Sequence, residues 1–154
     1  MTKIEKVKIP IANISKNNLP TQHTKKAVGY DLKANLHEPI TLPPFTRVLI
    51  PTGLRVRLPD DKQAEIRPRS GLALNHGITV LNSPGTIDPD YMGEIKVILT
   101  NLSEQRYTIY PGDRIAQLVI TNRTEIEWVE EFDYSFVMNE ENDRDQEGFG
   151  GTGK

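Results

Sequence analysis

The stretch Leu81–Gly93 reads Leu-Asn-Ser-Pro-Gly-Thr-Ile-Asp-Pro-Asp-Tyr-Met-Gly and gathers two carboxylates, a tyrosine, an amide and two glycines into a turn-rich loop. Pro89 fixes its own φ and pushes Asp88 out of the helical region, so that carboxylate is stiffly placed. Stiff placement is what a general base needs. A hairpin whose turn happens to be rich in Pro and Asp would read the same way, so the loop alone leaves both readings open.

Three other stretches carry groups that could serve a ligand, and the first of them suits a phosphate. Pro68-Arg69-Ser70-Gly71-Leu72-Ala73 follows a strand pattern and opens a short helix pattern. Ser70 stands where it can cap that helix, and free amides, a hydroxyl and the Arg69 fork converge there. An ordinary cap with a surface arginine is the alternative. Gly112-Asp113-Arg114-Ile115-Ala116-Gln117-Leu118 is a turn entering a strand. Asp113 and Arg114 could pair locally, and Gln117 either faces solvent or offers its amide to a ligand. Ala27-Val28-Gly29-Tyr30-Asp31-Leu32 is an early strand with one acid, Asp31, which is an edge residue or orients water, a cation or a basic partner.

The elements that must hold these groups are strands. Apolar residues come in short runs at Ile4–Ile9, Ala27–Ala34, Arg47–Ile50, Leu54–Leu58, Gln63–Arg67, Ile78–Leu81, Glu94–Thr100, Arg106–Tyr110, Arg114–Thr121 and Glu125–Val129. In Glu94–Thr100, Ile95, Val97 and Leu99 occupy alternate positions, the period of a half-buried strand. Eleven prolines and eleven glycines punctuate the runs. Many short strands at even spacing predict an all-β sandwich or barrel rather than alternating β and α units. The one helical pattern is Gly71–His76, stopped by Gly77.

At 154 residues one domain is expected. The 19 basic and 21 acidic side chains leave a formal net charge of −2. No basic excess supports stable nucleic-acid binding. An anionic ligand must therefore be drawn by local arginines, backbone amides or a metal. There is no cysteine, which excludes disulfides and thiolate chemistry, and His23, His37 and His76 lack metal-ligand spacing. No apolar run approaches membrane-spanning length and the N-terminus has no signal-peptide core, so a soluble intracellular protein without membrane association is expected.

The composition shifts near Met138, which predicts a β domain over residues 1–138 and a flexible tail over 139–154. Residues 139–147 carry five acids and one arginine, and Gly-Phe-Gly-Gly-Thr-Gly-Lys follows. Phe149, alone among glycines, is either a flap that orders over a ligand or part of a frayed end. Residues 148–154 also match the core of a P-loop, Gly-x-x-x-x-Gly-Lys. The chain supplies neither the Ser or Thr nor the helix that a working P-loop needs after the lysine, so that reading is set aside.

Taken together and in order, Ala27–Leu32, Pro68–Ala73, Gly85–Gly93, Gly112–Leu118 and Arg144–Gly153 closely resemble the five motifs of the trimeric deoxyuridine triphosphatases (dUTPases). The resemblance runs from about residue 20 to the end. It implies a jelly-roll-like distorted β-barrel assembled as a homotrimer, with three active sites at subunit interfaces. It also implies hydrolysis of dUTP to dUMP and pyrophosphate by water attack on the α-phosphorus, with Mg²⁺ on the phosphates. Such an activity limits uracil incorporation into DNA and supplies dUMP for thymidylate synthesis.

Residue by residue, the resemblance gives Asp88 the role of general base. It places the Tyr91 ring under the deoxyribose, leaving no room for a 2′-hydroxyl. Asn82 and the hairpin backbone of Gly85, Thr86, Ile87 and Met92 match the uracil-reading edge. Arg69, Ser70, Gly71 and Gln117 match phosphate ligands, and Asp31 supports the phosphate and metal shell without a protein carboxylate cage. Arg144 matches the tail arginine on the terminal phosphate, Phe149 the aromatic that closes over the base, and Gly150, Gly151 and Thr152 the amide wrap around the phosphates. These roles require Asp88 and Arg69 to reach one cleft. Glu147 and Gly151 depart from the usual tail pattern, replacing a glycine and a serine. The related dCTP deaminases carry Arg-Ser-Ser-x-Ala-Arg, which Arg69-Ser70-Gly71-Leu72-Ala73-Leu74 fits poorly. A nucleotide-binding module without turnover is the reading from another class, and the intact Asp88 and Tyr91 argue against it.

Overall fold

The computed structural model describes residues 6–130. The chain divides into two compact units, Met1–Thr124 and Glu125–Lys154. The expected boundary at residue 138 and the tail residues Arg144, Phe149, Gly150, Gly151 and Thr152 lie outside the described residues, as do Glu147 and the start of the Ile4–Ile9 pattern.

Among its described residues the first unit is all-β apart from one short helix. Its elements are β1 (Ile11–Asn13), β2 (Tyr30–Lys33), β3 (Ile40–Leu42), β4 (Arg47–Val56), β5 (Lys62–Arg67), α1 (Ser70–His76), β6 (Ile78–Val80), β7 (Gly85–Ile87), β8 (Ile95–Asn101), β9 (Tyr107–Ile109) and β10 (Arg114–Asn122). One sheet runs β1-β4-β8-β6, a second β2-β10-β5-β7, and a two-stranded ribbon pairs β3 with β9. Every pairing is antiparallel. Non-consecutive neighbours in both large sheets are the mark of jelly-roll-like connections, as expected.

The alternating positions face one core. Ile95, Val97 and Leu99 of β8 are buried with Ile50 and Leu54 of β4, Ile66 of β5, and Ile115 and Leu118 of β10. Burying each such side chain contributes about 1.5–3 kcal/mol. No helix among the described residues is long and apolar enough to cross a membrane.

Several elements differ from the pattern-based expectation. Arg47–Ile50 and Leu54–Leu58 are parts of one strand, β4, because Pro51-Thr52-Gly53 forms a bulge against β8 rather than a turn. Gly53 adopts φ +71°, and proline inside a strand is tolerated at such a bulge. The helix starts at Ser70, and its N-cap is Arg69, with no side-chain cap bond. Ser70 is therefore the first helical residue and not the cap. Gly77 ends the helix as expected, at φ +66° with its N–H on the Ala73 carbonyl. The short strands β1, β3 and β7 carry too few residues to show a period. Lys6–Pro10 is not strand, and neither is Glu125–Glu130, all of whose residues are exposed. An apolar alternation becomes a strand only where a ladder partner meets it.

Candidate active site

Sheet β2-β10-β5-β7 carries one group of candidate residues at one end. Gln117 of β10 pairs with Asp31 of β2 on one side and Arg67 of β5 on the other. Arg69 leaves β5 through Pro68 and turns back to this end. Its Nε lies 3.6 Å from Asp31 Oδ1, and its Nη1 donates to the Arg114 carbonyl at 2.8 Å. Arg114 Nη1 donates to Asp31 Oδ2 at 3.2 Å. Asp31 thus holds two guanidiniums at once. This cluster carries two cations and one anion, on a chain of net charge −2.

Arg114 is the residue the motif reading missed. It does not pair with Asp113, whose Oδ2 instead accepts the Tyr110 N–H at 2.8 Å within the turn. The signal was there in its place three residues before Gln117. Gln117 is half-buried rather than solvent-facing. It lies so close to Gly29 that a Cβ at Gly29 would run into its amide oxygen, which explains a glycine at that position. Ser70 and Gly71 are exposed at the start of α1, and a Cβ on Gly71 would meet nothing within 4 Å. Burial pushes the Tyr107 hydroxyl up, and Asp113 adds to it, while the Arg69 charge opposes both.

The second group lies in the loop between β6 and β8. A cleft of about 290 Å³ is lined there by Asn82, Gly85, Thr86, Ile87 and Tyr91, with Ile66, Val80 and Lys96 among its walls. Gly85 brings its backbone close to Asn82, whose Nδ2 would stand 3.2 Å from a Cβ at that position. The Ser83–Pro84 peptide is cis. Tyr91 N–H closes a turn onto the Asp88 carbonyl at 3.1 Å, and Tyr91 Oη donates to the Glu94 carbonyl at 2.8 Å. Asp88 follows Ile87 directly, and its side chain is exposed. Met92 is exposed, and its carbonyl accepts from Arg55 Nη1 at 3.4 Å.

Within one chain these two groups do not meet. Ile87 pairs with Ala64 and Gly85 with Ile66, so Asp88 is level with Gln63, at the opposite end of β5 from Arg69. Six residue steps at about 3.3 Å separate them by roughly 20 Å along the strand. The expectation that Asp88 and Arg69 enter one cleft therefore fails for a single chain. The antiparallel register sends the two motif ends in opposite directions.

Each half nonetheless has a clear chemistry. One presents guanidiniums and an amide to an anion. The other presents a small, largely apolar cleft with an amide and backbone polar groups. Residues 15–153 match the dUTPase family profile. The chain belongs to the dUTPase family.

Curated relatives agree over nearly the whole length. The deoxyuridine 5′-triphosphate nucleotidohydrolase of Cytophaga hutchinsonii is 52% identical over 95% of this chain and 92% of its own. That of Fusobacterium nucleatum is 44% identical over 98% of this chain and all of its own. Among solved structures, a mutant dUTPase from phage phi11 of S. aureus superposes with a TM-score of 0.71 at 23% identity, covering 82% of this chain and 99% of that one. That likeness concerns the fold, and that structure reveals how a structural Mg(II) ion is coordinated in the phage enzyme.

The donor set here bears on any such ion. Among the described residues no three His, Cys, Asp or Glu side chains come together to hold a metal. Asp31 is the carboxylate at the Arg69 end, and both its oxygens already face guanidiniums. The described residues therefore offer such an ion no ready-made cage of carboxylates.

Proposed function

We propose that the chain hydrolyses dUTP to dUMP and pyrophosphate, with water attacking the α-phosphorus and Asp88 as general base. The reaction limits uracil incorporation into DNA and supplies dUMP for thymidylate synthesis. What carries the reading is the division of the dUTPase motif residues into two complementary half-sites, one for a base and sugar and one for phosphates. Neither half suffices alone, which supports a homotrimer whose active sites join the Asp88 loop of one subunit to the Arg69 end of another. The tail, residues 139–154, completes the site in this reading, through Arg144 on the terminal phosphate and Phe149 over the base. Gly150, Gly151 and Thr152 then offer amides to the phosphates.

The chain's own residues act by placement and by charge. Asn82 and the backbone of Gly85, Thr86, Ile87 and Met92 read the uracil edge. Cytosine leaves buried polar groups unpaired there, at roughly 1–3 kcal/mol each. The Tyr91 ring under the sugar excludes a 2′-hydroxyl. Arg69, Ser70, Gly71 and Gln117 receive the phosphates, and Arg114 with Asp31 fixes the Arg69 fork. Asp88 takes a proton from the attacking water. Mg²⁺, when bound on the phosphates, neutralises charge that builds on the phosphoryl oxygens.

Pyrophosphate release measured for dUTP, dCTP, dTTP and UTP, with and without Mg²⁺, tests the proposal. Strong preference for dUTP and dependence on the ion are expected. Ammonia release from dCTP would instead place the chain with the deaminases, and tight dUTP binding without pyrophosphate would make it a binding module.

A further inference from the structure

The bulge in β4 and the loop before β8 meet at a residue that no motif role uses. Glu94 is half-buried, with 20% of its side chain exposed. Its Oε1 accepts the N–H of Gly53 at 2.8 Å. Gly53 lies in the bulge at φ +71°, where the register between β4 and β8 is broken. An amide turned out of the ladder needs another acceptor, and Glu94 supplies it. The nearest cation, Lys96 Nζ, is 4.0 Å from the other oxygen on a half-exposed side chain and contributes little.

The backbone of the same residue holds Tyr91. The Tyr91 hydroxyl donates to the Glu94 carbonyl at 2.8 Å. The hydroxyl end of the ring lies against Gly93, where a Cβ would stand 2.5 Å from Oη and 2.6 Å from Cζ. The tip of the ring is therefore held twice, by the Glu94 carbonyl and by its close approach to Gly93. On the far side of Glu94, buried Thr52 donates from Oγ1 to the Ile95 carbonyl at 2.6 Å. The bulge thus grips the strand entry at two successive residues, and the tyrosine hangs from the first.

We infer that Glu94 is a positioning residue: by accepting the Gly53 amide it sets the height of the Tyr91 ring, and so the discrimination against a 2′-hydroxyl. The inference rests on the role given to Tyr91 in the proposed function. What matters is an acceptor of the right length, not the charge.

The test is the ratio of kcat/KM for dUTP to that for UTP, measured on the full chain with Mg²⁺. A merely structural residue lowers both values together and leaves the ratio alone. Glu94→Ala is expected to lower the ratio about tenfold, with the KM for dUTP rising more than kcat falls. Glu94→Gln keeps an acceptor oxygen and holds the ratio within about twofold. Should Glu94→Ala not fold, Glu94→Asp carries the test, since it keeps the charge but is one methylene too short to reach the Gly53 amide, and lowers the ratio by the same logic. An unchanged ratio in whichever of the two folds overturns the inference, as does an equal loss in Glu94→Gln and Glu94→Ala. If the wild type releases no pyrophosphate from dUTP, the reading beneath falls and this inference with it. If the wild type prefers dUTP and the variant ratio does not move, only this inference falls.

Discussion

On the side proposed for the phosphates, Asp31, Arg69 and Arg114 hold one another by charge at the end of a four-stranded sheet; on the side proposed for the base, the loop Leu81–Gly93 is held by backbone turns and main-chain hydrogen bonds. In the proposed function the difference follows what each half is to receive. An anion needs cations that are already fixed before it arrives, and a shared carboxylate fixes two of them with one side chain. A base and sugar are read by shape, which calls for small residues and exposed backbone rather than charge. One half is therefore sensitive to the loss of a single ion, and the other to the loss of geometry.

The sharpest contrast is at Asp88, the exposed carboxylate of the base side. Asp88→Asn keeps the loop geometry and removes the base. Turnover is expected to fall by about 10²–10⁴ while nucleotide binding stays close to normal. Steady-state kcat together with calorimetric binding of dUTP checks this, and near-normal turnover removes Asp88 from its role.

The separation of the halves along β5 gives a second test. If each site takes Asp88 from one subunit and Arg69 from another, two inactive variants should complement. In an equal mixture of Asp88→Asn and Arg69→Ala chains, after subunit exchange, about one quarter of sites would carry both native residues. Activity near that fraction is expected. No recovery after confirmed exchange would mean that both residues serve the same chain's site, against the register of β5 and β7.

Much of this was legible before any coordinates. The Asp88-Pro89 pair, the Gly85 and Gly93 spacing and the period of β8 are local features, and local chemistry is written in consecutive residues. The Gly77 stop of the helix is of the same kind. Contacts between residues distant in the chain were not legible. Asp113 is one residue from Arg114, and sequence proximity suggests that they pair. The β2–β10 register instead brings Asp31 to Arg114, and only pairing between strands far apart in sequence can do that. The bulge at Pro51-Thr52-Gly53 reads as a turn because its residues are turn formers. Its continuation as one strand depends on β8 lying alongside.

A smaller effect is expected where the phosphate side loses its organiser. Asp31→Asn leaves the guanidiniums of Arg69 and Arg114 side by side without the carboxylate between them. KM for dUTP should rise about tenfold while kcat changes less, because the phosphate-binding geometry loosens and the base is untouched. Added salt should narrow the gap between variant and wild type, since screening weakens repulsion between part-exposed cations. A fall confined to kcat would instead put Asp31 in the chemical step.

The smallest effect separates folding from function at the helix that follows Arg69. Gly77 closes α1 at φ +66°, and a Cβ there would stand 3.0 Å from Ser103 Cβ and 3.1 Å from its backbone nitrogen. Gly77→Ala therefore meets both an unfavourable backbone conformation and a backbone neighbour that cannot swing away. A cost of about 1–2 kcal/mol is expected, or a few degrees in Tm for a chain of this size. Because the Arg69 guanidinium is anchored to Asp31 and to the Arg114 carbonyl, and Gly77 lies at the end of α1 away from the Arg69 cap, KM should hardly move at a temperature where the variant is folded. A large rise in KM without loss of Tm would show that the helix, and not the ion pairs, sets the arginine.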